Sequence, residues 1–289
     1  MPKKGKKRLR LVWFAALFIA ITTLLLFLIK LKNRNRPAGV KTENRIIEVL
    51  PPIAKPVHEK PAKHKNLPRL AIVIDDVGYD NRTLKSFIGL DLPLTYAILP
   101  NATEYKQSVD ILREAHLDYL VHMPMQPENY PRINPGENAL LINMSDSKIR
   151  NLTEEAIKKI PGAIGANNHM GSAFIQNKNK MQAFLAVLKE HNLFFLDSET
   201  TSKTVGWKLA KYDGVGFARR DIFLDNVKNL RYIENQLFKA ANYAKLHKVA
   251  IAIGHDNPIT EEALAETKDE LSKQVDFVEV KTVINSHIR

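Results

Sequence analysis

The chain is predicted to be an α/β protein built on a parallel, barrel-forming sheet. Seven apolar, strand-like runs in its C-terminal three quarters each end in a polar or charged cluster. Helix-like stretches alternate with these runs through the whole segment, the pattern of a parallel sheet covered on its outside by helices. The segment 67–289 is about 223 residues long, enough for one sizeable core and within the range of a single barrel.

Taken in order, the chain opens with KKGKKRLR, and residues 1–10 read as a basic cytoplasmic segment. Residues 11–29, LVWFAALFIAITTLLLFLI, are nineteen residues without a charge, which at about 1.5 Å per residue matches a bilayer core. A cleaved signal peptide competes with this reading, but its apolar run is usually only about 7–15 residues and ends at a small-residue site. Here the run continues into LIKLKNRNR, so a single transmembrane anchor is expected. Basic residues precede and follow it, and their larger number before it favours a cytoplasmic N-terminus. The expected setting is therefore a bacterial inner membrane, crossed once, with the folded part periplasmic or extracellular. The absence of cysteine fits that compartment. Residues 30–66, with Pro37, Pro51, Pro52, Pro56 and Pro61 among Lys and Glu, lack the apolar periodicity of a packed element and read as a semi-extended tether.

Charge separates the two halves. Residues 1–66 hold sixteen Lys and Arg against three Glu, a net of +13, which leaves −1 for the rest of a chain whose total is +12. The folded part is nearly neutral, and no nucleic-acid partner is expected.

Within 67–289 the predicted strands are 70–78, 94–101, 118–124, 163–171, 193–199, 216–221 and 249–257, with a last short strand at 275–280. The helix-like stretches are 81–90, 103–116, 145–160, 179–191, 229–247 and 260–274. Their apolar residues recur at three and four, as in Met181, Phe184, Leu185 and Leu188, which marks one buried face. There is no Gly-rich phosphate loop and no internal repeat.

The C-terminal ends of barrel strands converge on one rim. That rim would gather Asp75, Asp76, His122, His169, Asp197, Arg220, Asp221 and His255. One of the adjacent carboxylates Asp75 and Asp76 can hold a metal while the other acts as a base; alone, the pair reads more readily as a turn or a helix cap. His122 in HMPMQP and His169 in NNHMGS shift the balance, because two imidazoles and one carboxylate with an open position form a recurrent catalytic metal site. A divalent metal ion, zinc by choice of ligands, is the expected cofactor. His255 in AIGHDNP can donate a proton to a leaving group. Arg220 and Asp221 read either as a surface ion pair or as inward groups, Arg220 holding Asp75 ionised and Asp221 or Asp225 orienting His255. Met125 reads as packing or pocket wall.

Six ordered blocks, IDDVG, HMPMQP, GANNHMGS, FLDSET, RRDIFLD and AIGHDNP, resemble the divergent polysaccharide deacetylases, a branch of the NodB-like carbohydrate esterases. The resemblance covers residues 69–282. It implies a distorted barrel of about seven strands and metal-dependent removal of acetyl groups from an N-acetylated cell-envelope glycan. Carried over, Asp75 becomes the base and Asp76 a ligand, and Asn168–His169 matches the Asn-His ligand motif. Where that motif has a second His four residues on, this chain has Ala173, so His122 is taken as the third ligand. Gly254 precedes His255 where the related deacetylases have Leu, and Glu199 stands where Arg is usual in this branch. Asp197, Met125 and Asn168 are expected around the substrate. The rival expectation is a non-catalytic glycan-binding or envelope-assembly protein on the same barrel, favoured by Ala173 and Glu199. Oligomeric state is not legible.

Overall fold

The computed structural model describes residues 67–285. The expected cytoplasmic segment, anchor and tether lie outside the described residues, and among the described helices none is long and apolar enough to cross a membrane.

The described chain alternates strand and helix almost throughout. Its elements are β1 (Arg69–Val77), α1 (Asn81–Gly89), β2 (Thr95–Ile98), α2 (Tyr105–Glu114), β3 (Tyr119–Met125), α3 (Asp146–Lys159), β4 (Gly165–Met170), α4 (Lys178–Glu190), β5 (Phe194–Asp197), α5 (Gly206–Asp213), β6 (Phe217–Arg219), β7 (Ile222–Phe223), α6 (Leu230–His247), β8 (Val249–His255), α7 (Pro258–Leu271) and β9 (Asp276–Val278). All pairings are parallel, in the order β6-β5-β4-β3-β2-β1-β8-β7, with β9 beside the start of β1. The two end strands are successive pieces of one stretch, Phe217–Phe223. Arg220 N–H donates to Asp197 O and Asp221 N–H to Ile251 O, so this stretch links the two edges of a parallel α/β half-barrel.

Every predicted strand is present. The run predicted at 216–221 forms β6 and ends at Arg219, and the short β7 just beyond it was not foreseen, which makes nine strands among the described residues. Helix α5 was not foreseen, because eight residues give too little periodicity to read. Five helices start on a side-chain cap: Asp80, Ser145, Asn177, Asn229 and Asn257 each accept a backbone N–H two or three residues on. Each such cap is worth about 1 kcal/mol.

Two hydrophobic layers lie on opposite faces of the sheet. The outer one packs the sheet against the helices through residues such as Ile72, Ile74, Tyr96, Val121, Met123, Phe184 and Phe195. The inner one is made by Ala71, Val73, Ala97, Leu120, Leu196, Ala218, Ile251 and Ile253, joined by Val280 and Val283 from the segment after β9. Register aligns these inner residues, as in Val73 opposite Ile253 and Leu196 opposite Ala218. Side chains alternate along a strand. The next inward positions toward the C-terminal rim are therefore Asp75, His122, Asn167, Ser198, Arg220 and His255.

Candidate metal centre

Five of those six inward positions follow an inner core residue by two: Asp75 after Val73, His122 after Leu120, Ser198 after Leu196, Arg220 after Ala218 and His255 after Ile253. Asn167 is directly opposite His122, and Asp75 directly opposite His255. Asp76 breaks the alternation. Between Ile74 and Val77, β1 advances three residues while β2 advances two, so β1 carries one extra residue. Asp76 sits in this bulge with φ +62°. The bulge lets two neighbouring carboxylates serve one site, which a regular strand would forbid. A left-handed conformation costs an L-residue about 1–2 kcal/mol, least for Asp and Asn. Gly78 (φ +123°) then turns the chain away; a Cβ there would meet Ala102 Cβ at 2.8 Å.

Asp76 Oδ1, His122 Nε2 and His169 Nδ1 form a triangle with edges of 3.1 Å (Asp76–His122), 2.9 Å (Asp76–His169) and 3.2 Å (His122–His169). Ligand atoms bound at about 2.1 Å to one ion stand about 3.0–3.4 Å apart in octahedral or tetrahedral geometry. Although two imidazole nitrogens are close to Asp76 Oδ1, neither is angled to donate to it, and this oxygen is buried without a hydrogen bond. Three lone-pair atoms converging beside an orphaned carboxylate oxygen fit a divalent cation, and the N,N,O set suits zinc and its neighbours.

Electrostatics point the same way. Burial works against the Asp76 charge, yet His122 and His169 hold its carboxyl well below the usual range. For His122 burial opposes protonation, but Asp75 and Asp76 outweigh it and the imidazole is raised. Burial pushes the Asp75 carboxyl up, against the pull of His122 and His255. The two carboxylates thus draw positive charge to this point, in the form of a proton or an ion.

Asp75 is almost fully buried, with Oδ2 3.7 Å from His122 Nε2 and Oδ1 accepting from Asn167 Nδ2 at 2.7 Å. On the other side of Asp76, His255 Nε2 lies 3.9 Å from Asp76 Oδ2, and its side chain is 34% exposed. His255 Nδ1 meets Asp225 Oδ1 at 2.9 Å, while Asp225 Oδ2 accepts from His255 N (2.8 Å), Asn257 Nδ2 (3.0 Å) and Thr260 Oγ1 (2.8 Å). Burial disfavours the His255 cation, but Asp225 more than offsets it and the imidazole is raised to about 9. The His255 ring meets Phe223 edge to face, with centroids 5.2 Å apart, and Arg220 lies 5.1 Å from that ring.

Several expected roles need correction. Asp197, Asn168 and Met125 all lie on the outer face, one register step from the inward positions, so none borders the site. Asp197 is fully buried, accepting from Thr204 Oγ1 (2.6 Å) and Glu199 N (2.8 Å), and so braces the turn into α5. Asn168 ties β4 to β5 by accepting from Ser198 N (2.9 Å) and donating to Met170 O (2.7 Å). Met125 belongs to the outer core. Asp225 orients His255; Asp221 accepts from Ile251 N (2.8 Å) instead. Arg220 faces inward, but its Nε and Nη2 donate to Ser198 O (2.7 Å) and Glu199 O (3.0 Å), and no hydrogen bond joins it to Asp75. Ala173 N–H donates to Gln126 O, and His122, from the adjacent strand, fills the third corner of the triangle. The Glu199 carboxylate faces Arg219 at 3.5 Å. Asn167 was missed; the alternation Asn167/His169 on a strand whose partner carries His122 is the signal that would have found it.

A parallel α/β half-barrel carrying an Asp-His-His cluster, a second carboxylate and a His-Asp pair on its C-terminal rim defines a deacetylase-like protein with a candidate metal centre. The chain belongs to the divergent polysaccharide deacetylase family, whose profile matches residues 72–284. An uncharacterized protein of Haemophilus influenzae is 38% identical over 192 residues, 66% of this chain and 68% of that one. The crystal structure of an uncharacterized protein from Agrobacterium tumefaciens C58 superposes with a TM-score of 0.73 at 19% identity, covering 78% of this chain and 93% of that one. The T48 deacetylase, solved with substrate, superposes with a TM-score of 0.50 at 12% identity over 75% of this chain and 90% of its own.

Proposed function

We propose that the protein is a metal-dependent hydrolase that removes acetyl groups from an N-acetylated glycan of the bacterial cell envelope. The observation that carries this reading is the Asp76–His122–His169 triangle, with the buried carboxylate of Asp75 beside His122 and the Asp225-held imidazole of His255 beside Asp76. A divalent cation held there supplies a Lewis acid for the acetyl carbonyl and for the attacking water. Asp75, through its free Oδ2, accepts the proton of that water. His255, kept protonated by Asp225, gives its Nε2 proton to the departing sugar nitrogen. Acid and base thus both reach the cluster, Asp75 beside His122 and His255 beside Asp76, where attack and departure at one acyl carbon can be served together. The chain has no cysteine, and Ser172 in HMGSA lacks the G-x-S-x-G flanks of a nucleophile elbow.

The basic start, the apolar 11–29 segment and the proline-rich 30–66 segment support a tethered domain outside the inner membrane. Metal analysis of the purified chain, followed by acetate release from N-acetylglucosamine oligomers and from peptidoglycan, tests the activity. About one equivalent of metal and metal-dependent acetate release are expected. Metal without release from any acetylated glycan would favour a binding protein that has kept the site.

A further inference from the structure

Asn167 is fully buried on the inward face of β4 and saturated by three side chains. Its Nδ2 donates to Asp75 Oδ1 at 2.7 Å and approaches Ser198 Oγ at 3.4 Å, while its Oδ1 meets His122 Nδ1 at 2.8 Å. It therefore reaches from β4 to β1 across the interior and touches both a metal-ligand candidate and the expected base.

The chemistry of the three groups admits one arrangement. An ionised carboxylate only accepts hydrogen bonds, so the amide nitrogen must face Asp75. Turning the amide over would set its carbonyl against that carboxylate at 2.7 Å. With the nitrogen on Asp75, the carbonyl faces His122 Nδ1, and that nitrogen must carry the proton. The lone pair of His122 is then on Nε2, the atom 3.1 Å from Asp76 Oδ1. In the same way, the bond to Oδ1 leaves Asp75 Oδ2 as its open oxygen, on the side of the cluster.

We propose that Asn167 is a positioning residue that sets the ligand and the base together: its carbonyl holds His122 in the Nδ1–H tautomer, presenting Nε2 to the ion, and its NH2 group orients Asp75 so that Oδ2 takes the proton. The proposal rests on the metal-dependent reading for its catalytic half; its tautomer half holds in the metal-free protein. A buried amide that merely satisfies its neighbours would be replaceable by any residue that preserves the fold. A positioning residue is not, because groups that orient metal ligands typically govern about 10–100-fold in metal affinity or activity.

The test is long-range nitrogen NMR of the imidazoles in metal-free wild type, Asn167→Ala and Asn167→Asp, with zinc affinity from competition against a chromophoric chelator. At a pH high enough to leave His122 neutral, wild type should show it wholly as Nδ1–H rather than Nε2–H. Asn167→Ala should show a mixture of tautomers and about 10–100-fold weaker zinc binding. Asn167→Asp still accepts from His122 Nδ1–H, so it should keep the tautomer and the metal; its carboxyl shares a proton with Asp75, so deacetylation should fall at least tenfold. His122 remaining wholly Nδ1–H in Asn167→Ala, with wild-type zinc affinity, would overturn the proposal. If Asn167→Ala does not fold, Asn167→Asp decides alone: a lost tautomer or wild-type turnover refutes it. Failure of wild type to bind any metal would sink the hydrolase reading, while the tautomer comparison would still judge the role of Asn167.

Discussion

Replacing Asp225 by Asn should convert His255 from a proton donor at neutral pH into a bystander. Three of the four donors to Asp225 converge on Oδ2: His255 N, Asn257 Nδ2 and Thr260 Oγ1. The carbonyl of an introduced Asn must therefore take the Oδ2 place, leaving its NH2 against His255 Nδ1. An NH2 there demands a lone pair on Nδ1, so protonating His255 would set two donors face to face. The imidazole, raised to about 9 with Asp225 in place, should fall to its ordinary value of about 6.5 or lower. At pH 7.5 its protonated fraction drops from about 97% to about 10%, so kcat should fall about tenfold from this cause alone. The assay is acetate release against pH. Wild type should lose activity above about pH 9, and Asp225→Asn should lose it two or more units lower while keeping its metal, since Asp225 does not touch the cluster. An unchanged alkaline limb would refute the assignment of His255 as the acid.

The same pair makes stability depend on pH. Because the folded pKa of His255 lies above its unfolded value, its stabilisation is full below about pH 6.5 and is lost as pH rises through about 9. For Asp225 burial raises the carboxyl, but His255 outweighs it and the carboxyl is lowered, so its contribution is present above the ordinary carboxylate value of about 3.9 and is lost as pH falls below it. The pair should support the fold most between about pH 4 and 6.5, with the His255 share declining to nothing by about pH 9, and Asp225→Asn should flatten that maximum in denaturant titrations.

Three further outcomes are expected. Asp76→Gly removes a ligand and also relieves the φ +62° conformation, so it should abolish metal uptake while leaving the apo protein as stable or up to about 1 kcal/mol more stable by urea titration; clear destabilisation would show that the bulge is not strained. His122→Ala and His169→Ala should both lose the metal, but only His122→Ala strands the buried Asn167 carbonyl, so it should cost about 1–3 kcal/mol more in thermal or urea unfolding. Asp197→Ala should cost about 1–3 kcal/mol of stability by stranding Thr204 Oγ1 and the Glu199 N–H, yet leave kcat/KM of the folded fraction near wild type; a loss of turnover beyond the unfolded fraction would place Asp197 in the site after all.

Much of the fold was legible because parallel strands buried on both faces read as unbroken apolar runs, and a polar residue ends each run where it reaches the rim. Asp75, Asp76, His122, His169 and His255 were singled out on that ground alone, and the structure brings them together. What could not be read was the face. Asn167 and Asn168 are adjacent and chemically identical, and only register, which places Asn167 opposite His122 and opposite the inner residue Leu196, decides which of them enters the site. The same single step turned Asp197 and Met125 outward. Asp76 is the converse: by alternation it should face away from Asp75, and only the bulge brings it in. Asp225 could be named only as one of two partners for His255, because it lies in the irregular stretch between β7 and α6, where no period orients side chains.

The central claim is that Asp76, His122 and His169 hold one cation together. Anomalous scattering at the zinc edge from a zinc-soaked crystal tests it most directly. The account predicts a single strong peak about 2.1 Å from Asp76 Oδ1, His122 Nε2 and His169 Nδ1, with an open side toward Asp75 and His255. A peak bound elsewhere on the rim, or no peak at this cluster at saturating zinc, would contradict it.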